Sequence, residues 1–289
     1  MPRSIWNGTI TFGLIAVPIK VHSATEDKSV HFHLVHEKDG ARVNLKRFCS
    51  KEGKEVPYKQ VAKGYETRAG EYVMLSQEEI NAAAGERSRL IELEEFVCQE
   101  HIDPVFYDRS YYLGAGEDGQ DAYRLLHDAL ARCARAGIGR WVFHNREYLV
   151  VVRPMRDDPG GARKGEAGRR ANGRSAGILG LHTMRFADEL VDAADLEVPE
   201  PSRAPSKREI EMAGELVDSL HHKFKPGAFK DTYRERLLDM LTRKAKGEEI
   251  EIEQPREHEP SDDLMAALEA SLASGGKGSR KRKKSTARS

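Results

Sequence analysis

The stretch from Ser4 to Glu26 constrains the fold more than any other part of the chain. Two sets of apolar residues alternate there with smaller residues: Ile10, Phe12 and Leu14, then Val17, Ile19 and Val21 after a break at Ala16. An apolar residue at every second position is typical of a β-strand with one buried face. Pro18 lacks a backbone donor and is expected at an edge or bulge, whereas Gly8 and Gly13 favour the tight curvature of a closing barrel.

Further strand patterns continue to about residue 155. Val30, Phe32 and Leu34 predict a half-buried strand that ends at a Lys38–Gly40 turn. Three more extended pieces are predicted at Tyr72–Leu75, at Leu90–Cys98, and in a hairpin whose loop is His144–Glu147. A β-rich first half is therefore expected, followed by one more strand from Ile178 to Phe186.

Helical periodicity is confined to a few segments. Ser76 and Glu79 have capping-box spacing before a short helix. A longer helix is predicted from Asp121 to Ala136, and Gly137 is expected to end it. Its predicted apolar stripe consists of Leu125, Leu126, Ala129, Leu130 and Cys133.

Two more amphipathic helices are predicted after residue 205. Ser206 and Glu209 form a second capping box, and Lys225-Pro226-Gly227 separates the first helix, Ser206 to Lys223, from the second, Lys230 to Lys246. The predicted apolar stripe of the first is Ile210, Ala213, Leu216, Val217 and Leu220. In the second, Tyr233, Leu237, Leu238 and Leu241 are predicted to face inward.

The charges are segregated along the chain. The 289 residues hold 47 basic and 47 acidic side chains, yet Lys277 to Ser289 holds seven basic residues and no acid. Removing those seven leaves 40 basic against 47 acidic residues, a net −7 for residues 1–276. An acidic body repels phosphate unless its own cations are gathered on one surface.

One internal region and the basic tail are the candidates for such a surface. Residues 37–68 carry nine Lys or Arg against five acids. The candidate phosphate contacts there are Lys38, Arg42, Lys46, Arg47, Lys51, Lys54, Lys59, Lys63 and Arg68. The candidates in the tail are Lys277, Arg280, Lys281, Arg282, Lys283 and Lys284. Mixed-charge solvated hairpins, and a solubilising tail, are the alternative interpretations.

Seven blocks of this sequence closely resemble bacterial Ku proteins, the end-binding factors of double-strand-break repair. They are SIWNGTITFGLIAVPIKVHSATE, VHFHLVHEKDG, CSKEGKEVPYKQVAKGYE, IDPVFYDRSYYL, HTMRFADEL, EIEMAGELVDSL and DLMAALEASL, in family order over nearly the whole chain. The resemblance implies a mixed α+β protein with a Ku-type β-barrel core, a DNA-encircling bridge, a C-terminal helical arm and a disordered basic tail. It also implies a DNA-binding protein that is not an enzyme and needs no cofactor.

The resemblance further implies how such a chain acts. Two copies form a homodimeric ring whose bridges encircle duplex DNA, so the ring loads only at double-stranded ends and contacts phosphates rather than base edges. The implied partners are DNA ends, a second copy and the multifunctional ATP-dependent DNA ligase of non-homologous end joining. A short helix at 262–273, with Leu264, Leu268 and Leu272 on one side, is the candidate ligase contact.

Domain boundaries are expected at composition changes. Residues 1–195 form the predicted barrel and bridge, 196–247 the helical arm, and 248–289 an acidic-then-basic extension. Residues 156–177 contain six Gly and six Lys or Arg without a large apolar residue, which predicts a flexible insertion or extra phosphate contacts. The chain has no run of about 18 apolar residues and no signal-peptide pattern, so a cytoplasmic, nucleoid-associated protein without membrane partners is expected.

Two rival functions remain open. His31 and His33 would share one face of a strand and could hold a metal for a nuclease, although no nearby Asp, Glu or Cys completes the set. A single-strand binder with a barrel fold would instead need exposed stacking aromatics. Structural zinc is not expected, because Glu52 stands where a cysteine would pair with Cys49. A GxxxxGK[ST] motif is absent, and the one GxSxG match, Gly173–Gly177, falls within the predicted flexible insertion.

Overall fold

The computed structural model describes residues 3–83, 89–155, 177–197 and 203–248, together with Met265 and Glu269. These residues fall into two compact units that divide after Val191. The strands are β1 (Trp6–Phe12), β2 (Ile15–Ser23), β3 (Lys63–Arg68), β4 (Glu71–Leu75), β5 (Leu90–Cys98), β6 (Tyr107–Ala115), β7 (Arg135–Phe143), β8 (Arg146–Pro154) and β9 (Leu179–Met184). The helices are α1 (Gln77–Ala83), α2 (Gln120–Cys133), α3 (Lys207–Ser219) and α4 (Thr232–Ala245).

Seven strands of the first unit close into a barrel in the order β1-β2-β6-β9-β8-β7-β5. Six of the seven pairings are antiparallel, and the seventh, between β1 and β5, is parallel, with Thr9 opposite Leu90. Closure removes the unpaired edges that would otherwise template aggregation. The barrel and the mixed α+β class predicted from the sequence are confirmed.

The barrel core is lined by one face of each strand, and α2 packs against it. Alternate residues of β1 and β2, namely Ile10, Val17, Ile19 and Val21, are buried completely or nearly so. Trp141 of β7 is also fully buried, at the centre of an aromatic cluster that includes Trp6, Tyr111 and Phe143. From α2 the core receives Tyr123, Leu126 and Leu130. This core lies wholly within the first unit.

A glycine in β7 is required for the close approach of two strands. A β-carbon at Gly139 would stand 2.0 Å from the carbonyl oxygen of Glu92, next to a bulge in the β5–β7 pairing. We expect Gly139→Ala to lower the free energy of unfolding by about 2 to 3 kcal/mol, because backbone must shift to relieve the overlap. Urea denaturation measures this. In the matched variant Gly114→Ala the nearest atom is 3.5 Å away, so a loss as large as that of Gly139→Ala would contradict the explanation.

Two residues of the first hairpin differ from the sequence prediction. Leu14 lies in the turn between β1 and β2 and is fully exposed, so it is not part of the buried face. Pro18 lies in β2, which has neighbours on both sides, and so is not on an edge or bulge. Its carbonyl accepts a hydrogen bond from the Gly116 amide one residue beyond the last β2–β6 pair, so its missing donor falls at the end of a ladder.

The helix α2 ends earlier than predicted. It stops at Cys133, and Ala134 adopts the left-handed conformation of a C-cap with φ 52°. Gly137, which was expected to end the helix, instead lies in β7. Leu125 is 65% exposed, and Ala129 and Cys133 are also exposed, so the buried stripe is rotated toward Tyr123, Leu126 and Leu130.

The chain leaves the barrel after β2 and returns at β5. We call residues 24–89 the excursion. The strand predicted at Val30–Leu34 is absent, and Phe32 and Leu34 are 66% and 64% exposed. Other predictions are confirmed: Gly40 completes a turn with φ +70°, and Ser76 and Glu79 exchange the two hydrogen bonds of a capping box before α1.

The second unit contains α3 and α4. Ser206 and Glu209 form the predicted capping box, and the Arg203 guanidinium bonds Glu209, at 2.9 Å through one nitrogen. This guanidinium, followed by the Ser206 amide, holds the pKa of the Glu209 carboxyl far below its ordinary value. Both helices are shorter than predicted, ending at Ser219 and Ala245.

The apolar stripes of α3 and α4 are largely exposed within one chain, although that of the second helix was predicted to face inward. The exposed members are Ile210, Val217, Leu220, Tyr233, Leu238 and Leu241, and only Glu209 is buried among the described residues of this unit. Two helices alone bury too little surface to cover both stripes. Met265 and Glu269 are helical, and Glu269 lies 3.7 Å from Arg208. Other predicted positions lie outside the described residues: Leu264, Leu268, Leu272, the tail cations and residues 156–176.

Candidate nucleic-acid interface

The excursion contributes no residue to the core. Between Val21 and Ile91, every described residue is exposed or half-buried. All nine cations predicted to contact phosphate within residues 37–68 lie in this segment and are exposed. A long surface segment of this kind, without its own core, is typical of binding regions carried by a rigid scaffold.

Two tight turns present several of these cations. In the first, the Gly40 amide donates to His36 O at 2.8 Å, and Val35 pairs with Arg42 across it. The second has the same design: the Gly53 amide donates to Cys49 O at 2.8 Å, and Phe48 pairs with Glu55. Lys38 lies within the first turn, and Lys51 within the second. Lys54 directly follows the second turn.

The nine cations differ in what they contact. Lys46 forms an ion pair with Glu55 at 2.7 Å, Arg42 lies 3.4 Å from His33 Nδ1, and the Arg47 guanidinium lies 5.0 Å from the centroid of the Tyr58 ring. The other six form no ion pair with any residue that the structure describes; they are Lys38, Lys51, Lys54, Lys59, Lys63 and Arg68. Within the described residues Glu55 offsets the charge of Lys46, and no acid pairs with the other eight cations, which leaves them available to an external anion.

The hairpin of β3 and β4 extends the charged surface with apolar side chains on both faces. Lys63 and Tyr65 lie on one face, together with Leu75 and Val73, the residues that pair with them on β4. Tyr72 lies on the other face. Tyr65 is 69% exposed and Tyr72 is 61% exposed. An isolated two-stranded sheet is marginally stable in water, so this hairpin is expected to be covered when the protein is functional.

Sequence reasoning located the cations but missed the aromatic residues among them. Phe48, Tyr58 and Tyr65 are each more than 60% exposed. The sequence from Arg42 to Tyr65 alone holds seven Lys or Arg, two acids and these three rings. That interleaving of aromatic and basic residues was the signal available, and it is the pattern of surfaces that bind single-stranded nucleic acid.

The histidines considered for a metal site have separate partners. His31 Nε2 lies 3.5 Å from Asp27, whereas His33 faces Arg42. Since residues 30–34 form no strand, the shared face that would bring the two rings together is absent. Within the described ranges no three His, Cys, Asp or Glu residues gather as potential metal ligands. The Cys49–Glu52 pair likewise belongs to no such group.

Another histidine, His182 of β9, contacts a serine as the histidine of a catalytic Ser–His pair would. Its Nδ1 lies 2.9 Å from Ser110 Oγ, and its Nε2 accepts a hydrogen bond from Arg153 Nε at 3.2 Å. Because Nε2 is the acceptor, the neutral ring carries its proton on Nδ1 and donates it to Ser110. The histidine therefore cannot take the serine proton through this contact, so the pair links β6, β8 and β9 instead of activating a nucleophile.

Acid should destabilise the barrel through His182. Burial, and then the Arg153 charge, lower the pKa of His182 from 6.5 to about 4. The folded state keeps the ring neutral while the unfolded chain protonates below pH 6.5, so stability is complete above that pH and falls as pH drops toward 4. Between pH 7 and 5 we expect a loss of about 2 kcal/mol from this residue. Urea denaturation of wild type and His182→Gln at both pH values measures it: equal pH losses in the two proteins would contradict the assignment.

No helix in the described part of the chain is long and apolar enough to cross a membrane. Pairing of the three cysteines is not observed either: Cys49, Cys98 and Cys133 are free thiols.

Comparison with known proteins identifies the family. The model of the Ku70/Ku80 beta-barrel domain matches residues 11–212. A non-homologous end joining protein Ku from Anaeromyxobacter sp. (strain K) is 41% identical over 277 residues, covering 94% of this chain and 86% of that protein. Its counterpart from Mycobacterium tuberculosis (strain CDC 1551 / Oshkosh) is 36% identical over 275 residues, covering 93% and 94%.

Among solved structures, the SPOC domain of human PHD-finger protein 3 is similar at 10% identity, with a TM-score of 0.29, over 64% of this chain and 99% of that one. That score is too low to support any conclusion. The family match, by contrast, covers most of the chain and includes six of the seven barrel strands in full, together with the end of β1. The chain belongs to the Ku family.

Proposed function

We propose that this chain binds the ends of double-stranded DNA without reading their sequence and acts in non-homologous end joining. The observation that carries the proposal is the excursion, an exposed segment mounted on a closed barrel, in which only Lys46 of the nine predicted cations pairs with an acid among the described residues. Cations on a surface segment, with no recognition helix among them, suit contact with phosphates rather than base edges. The names of the similar proteins, which are Ku proteins of end joining, support the same function.

The proposed active form is a ring-shaped homodimer. The exposed apolar stripes of α3 and α4 support a second copy as their partner, because a single chain leaves side chains such as Val217 and Tyr233 about two-thirds exposed. Large apolar side chains that are exposed together on a monomer usually mark an interface. In the ring, the excursions of both copies would surround the duplex, and DNA could enter the closed ring only by a free end.

Further elements of the proposal concern the remaining segments. Residues 1–195 would form the barrel and bridge, 196–247 the arm, and 248–289 an extension. Within that extension, Leu264, Leu268 and Leu272 would contact the multifunctional ATP-dependent DNA ligase, and the cations from Lys277 to Lys284 would add sequence-independent phosphate contacts. We propose binding rather than catalysis, in the cytoplasm at the nucleoid. A nuclease using His31 and His33 is not favoured, because the two rings have separate partners.

Covalently closed DNA provides the decisive test. We expect the protein to bind a linear duplex at least about a hundredfold more tightly than a relaxed, nick-free minicircle of the same sequence at about 150 mM salt, because only the linear form can be threaded. Fluorescence anisotropy or gel mobility measures both affinities. Cutting the minicircle once should restore tight binding. Equal affinity for the closed and the cut circle would overturn the ring.

A further inference from the structure

The aromatic side chains of the excursion have no role in a ring that contacts only duplex phosphates. Tyr58 is 74% exposed and Tyr65 is 69% exposed. Neither ring stacks on another aromatic ring within the described residues. Leaving large rings in water forgoes the free energy that their burial would contribute, so their exposure calls for a partner.

Each of these two rings lies beside a cation. The Arg47 guanidinium lies 5.0 Å from the Tyr58 ring centroid, a cation–π distance that leaves most of the ring accessible. On β3, Lys63 and Tyr65 are two residues apart and therefore project from the same face. A ring flanked by a cation can stack on a base while the cation contacts the phosphate of the same strand.

Charge decides which partner fits this surface. From Arg42 to Tyr65 there are seven basic residues and two acidic ones, so the surrounding potential favours a polyanion. Protein–protein interfaces are depleted in Lys, whereas proteins that bind single strands combine basic residues with stacking aromatics. In an intact duplex the bases already stack on each other, so exposed rings would contribute only where bases are unpaired.

We propose that the excursion binds the single-stranded overhang of a broken end by stacking unpaired bases on Tyr58 and Tyr65. This inference rests on the proposed function and extends it: the cations hold phosphates of duplex and overhang alike, and the two tyrosines add affinity only for the overhang. The substrate class is therefore a duplex end carrying a single-stranded extension, with no preference for base sequence because every base has a face on which to stack.

The test compares blunt and overhanging ends on the full-length protein. The probes are duplexes capped at one end by a hairpin, with the other end either blunt or extended by a run of about ten thymidines. In wild type we expect the extension to tighten binding. The variant with Tyr58→Ala and Tyr65→Ala should lose that gain, about tenfold per ring, while its affinity for the blunt probe stays within about twofold of wild type.

Two further variants separate stacking from other effects. Tyr58→Phe with Tyr65→Phe should keep the gain, because phenyl rings stack as well. Tyr72→Ala removes an equally exposed ring from the opposite face of the hairpin and should also keep it. An unchanged ratio of overhang to blunt affinity in the alanine variant would overturn the proposal. So would an equal loss on both probes with dissociation of the homodimer, since the tyrosines would then be interface residues. If the proposed function itself were wrong, the protein would instead bind closed circular DNA as tightly as linear DNA.

Discussion

Replacing Lys46, Arg47, Lys51 and Lys54 with Glu is expected to abolish binding to DNA ends while the proposed homodimer persists. The four residues lie within or beside the second turn of the excursion, Arg47 also contacts Tyr58, and none supports the core. Each lost phosphate contact removes about 0.9 from the slope of log K against log salt, so the loss of four contacts should reduce the slope by about 3.6 and the affinity by at least a hundredfold near 150 mM salt. Salt titrations by fluorescence anisotropy on linear duplex measure both quantities.

The ion pair of Lys46 allows a sharper form of the same test. Lys51→Glu removes an unpaired cation and should weaken binding severalfold, whereas Lys46→Gln removes one that Glu55 already offsets and should weaken it less. Arg132→Glu on α2 introduces the same charge change as Lys51→Glu at an exposed site outside the excursion. A loss from Arg132→Glu as large as that from Lys51→Glu would show that total charge, not the excursion, governs binding.

Replacing Val217 and Leu220 with Glu is expected to dissociate the proposed homodimer and thereby remove end binding. Val217 lies on α3 and Leu220, three positions later, is its C-cap residue; they are 68% and 63% exposed in one chain. Burying such a residue contributes about 1.5 to 3 kcal/mol, and each substitution acts in both copies, so the dimer dissociation constant should rise at least a thousandfold. Analytical ultracentrifugation at micromolar concentration measures the state of association.

The barrel itself should survive this change, because its core is confined to the first unit. Near-ultraviolet circular dichroism from the cluster around Trp141 provides that control. Ser219→Glu adds a negative charge to the same helix away from the apolar stripe, and it should leave the dimer intact. A double variant that remains dimeric and still binds ends would remove α3 from the proposed interface.

Local patterns in the sequence predicted the elements whose stability is local. The alternation in β1 and β2, the extended stretch Leu90–Cys98 and the capping boxes at Ser76 and Ser206 are each specified by residues close in sequence, and all are confirmed. The closing pairing of β1 with β5 joins residues about eighty positions apart, so no local pattern could specify its register.

The errors have a common physical origin in tertiary context. Val30, Phe32 and Leu34 have the alternation of a strand, yet no neighbouring strand is there to pair with them. In α2 the apolar positions outnumber those that face the barrel, so periodicity alone placed Leu125 inside. The cations were read correctly as exposed, but which of them remain unpaired depends on contacts such as Lys46–Glu55. Those contacts arise only once the turns have formed.

The parallel pairing of β1 also determines how force on the excursion would reach the barrel. The excursion leaves from β2 and returns at β5, and both strands are direct neighbours of β1 in the sheet. Val21 of β2 lies opposite Trp6 at the start of β1, and Leu90 of β5 lies opposite Thr9 in its middle, so the two attachment points lie on either side of β1, about 10 Å apart across two strand spacings and offset by three residues along the strand. Tension along the strands would load two hydrogen-bonded ladders simultaneously in shear, instead of peeling one strand away bond by bond. A pulling force from DNA bound at the excursion would thus be shared between the β1–β2 and β1–β5 pairings.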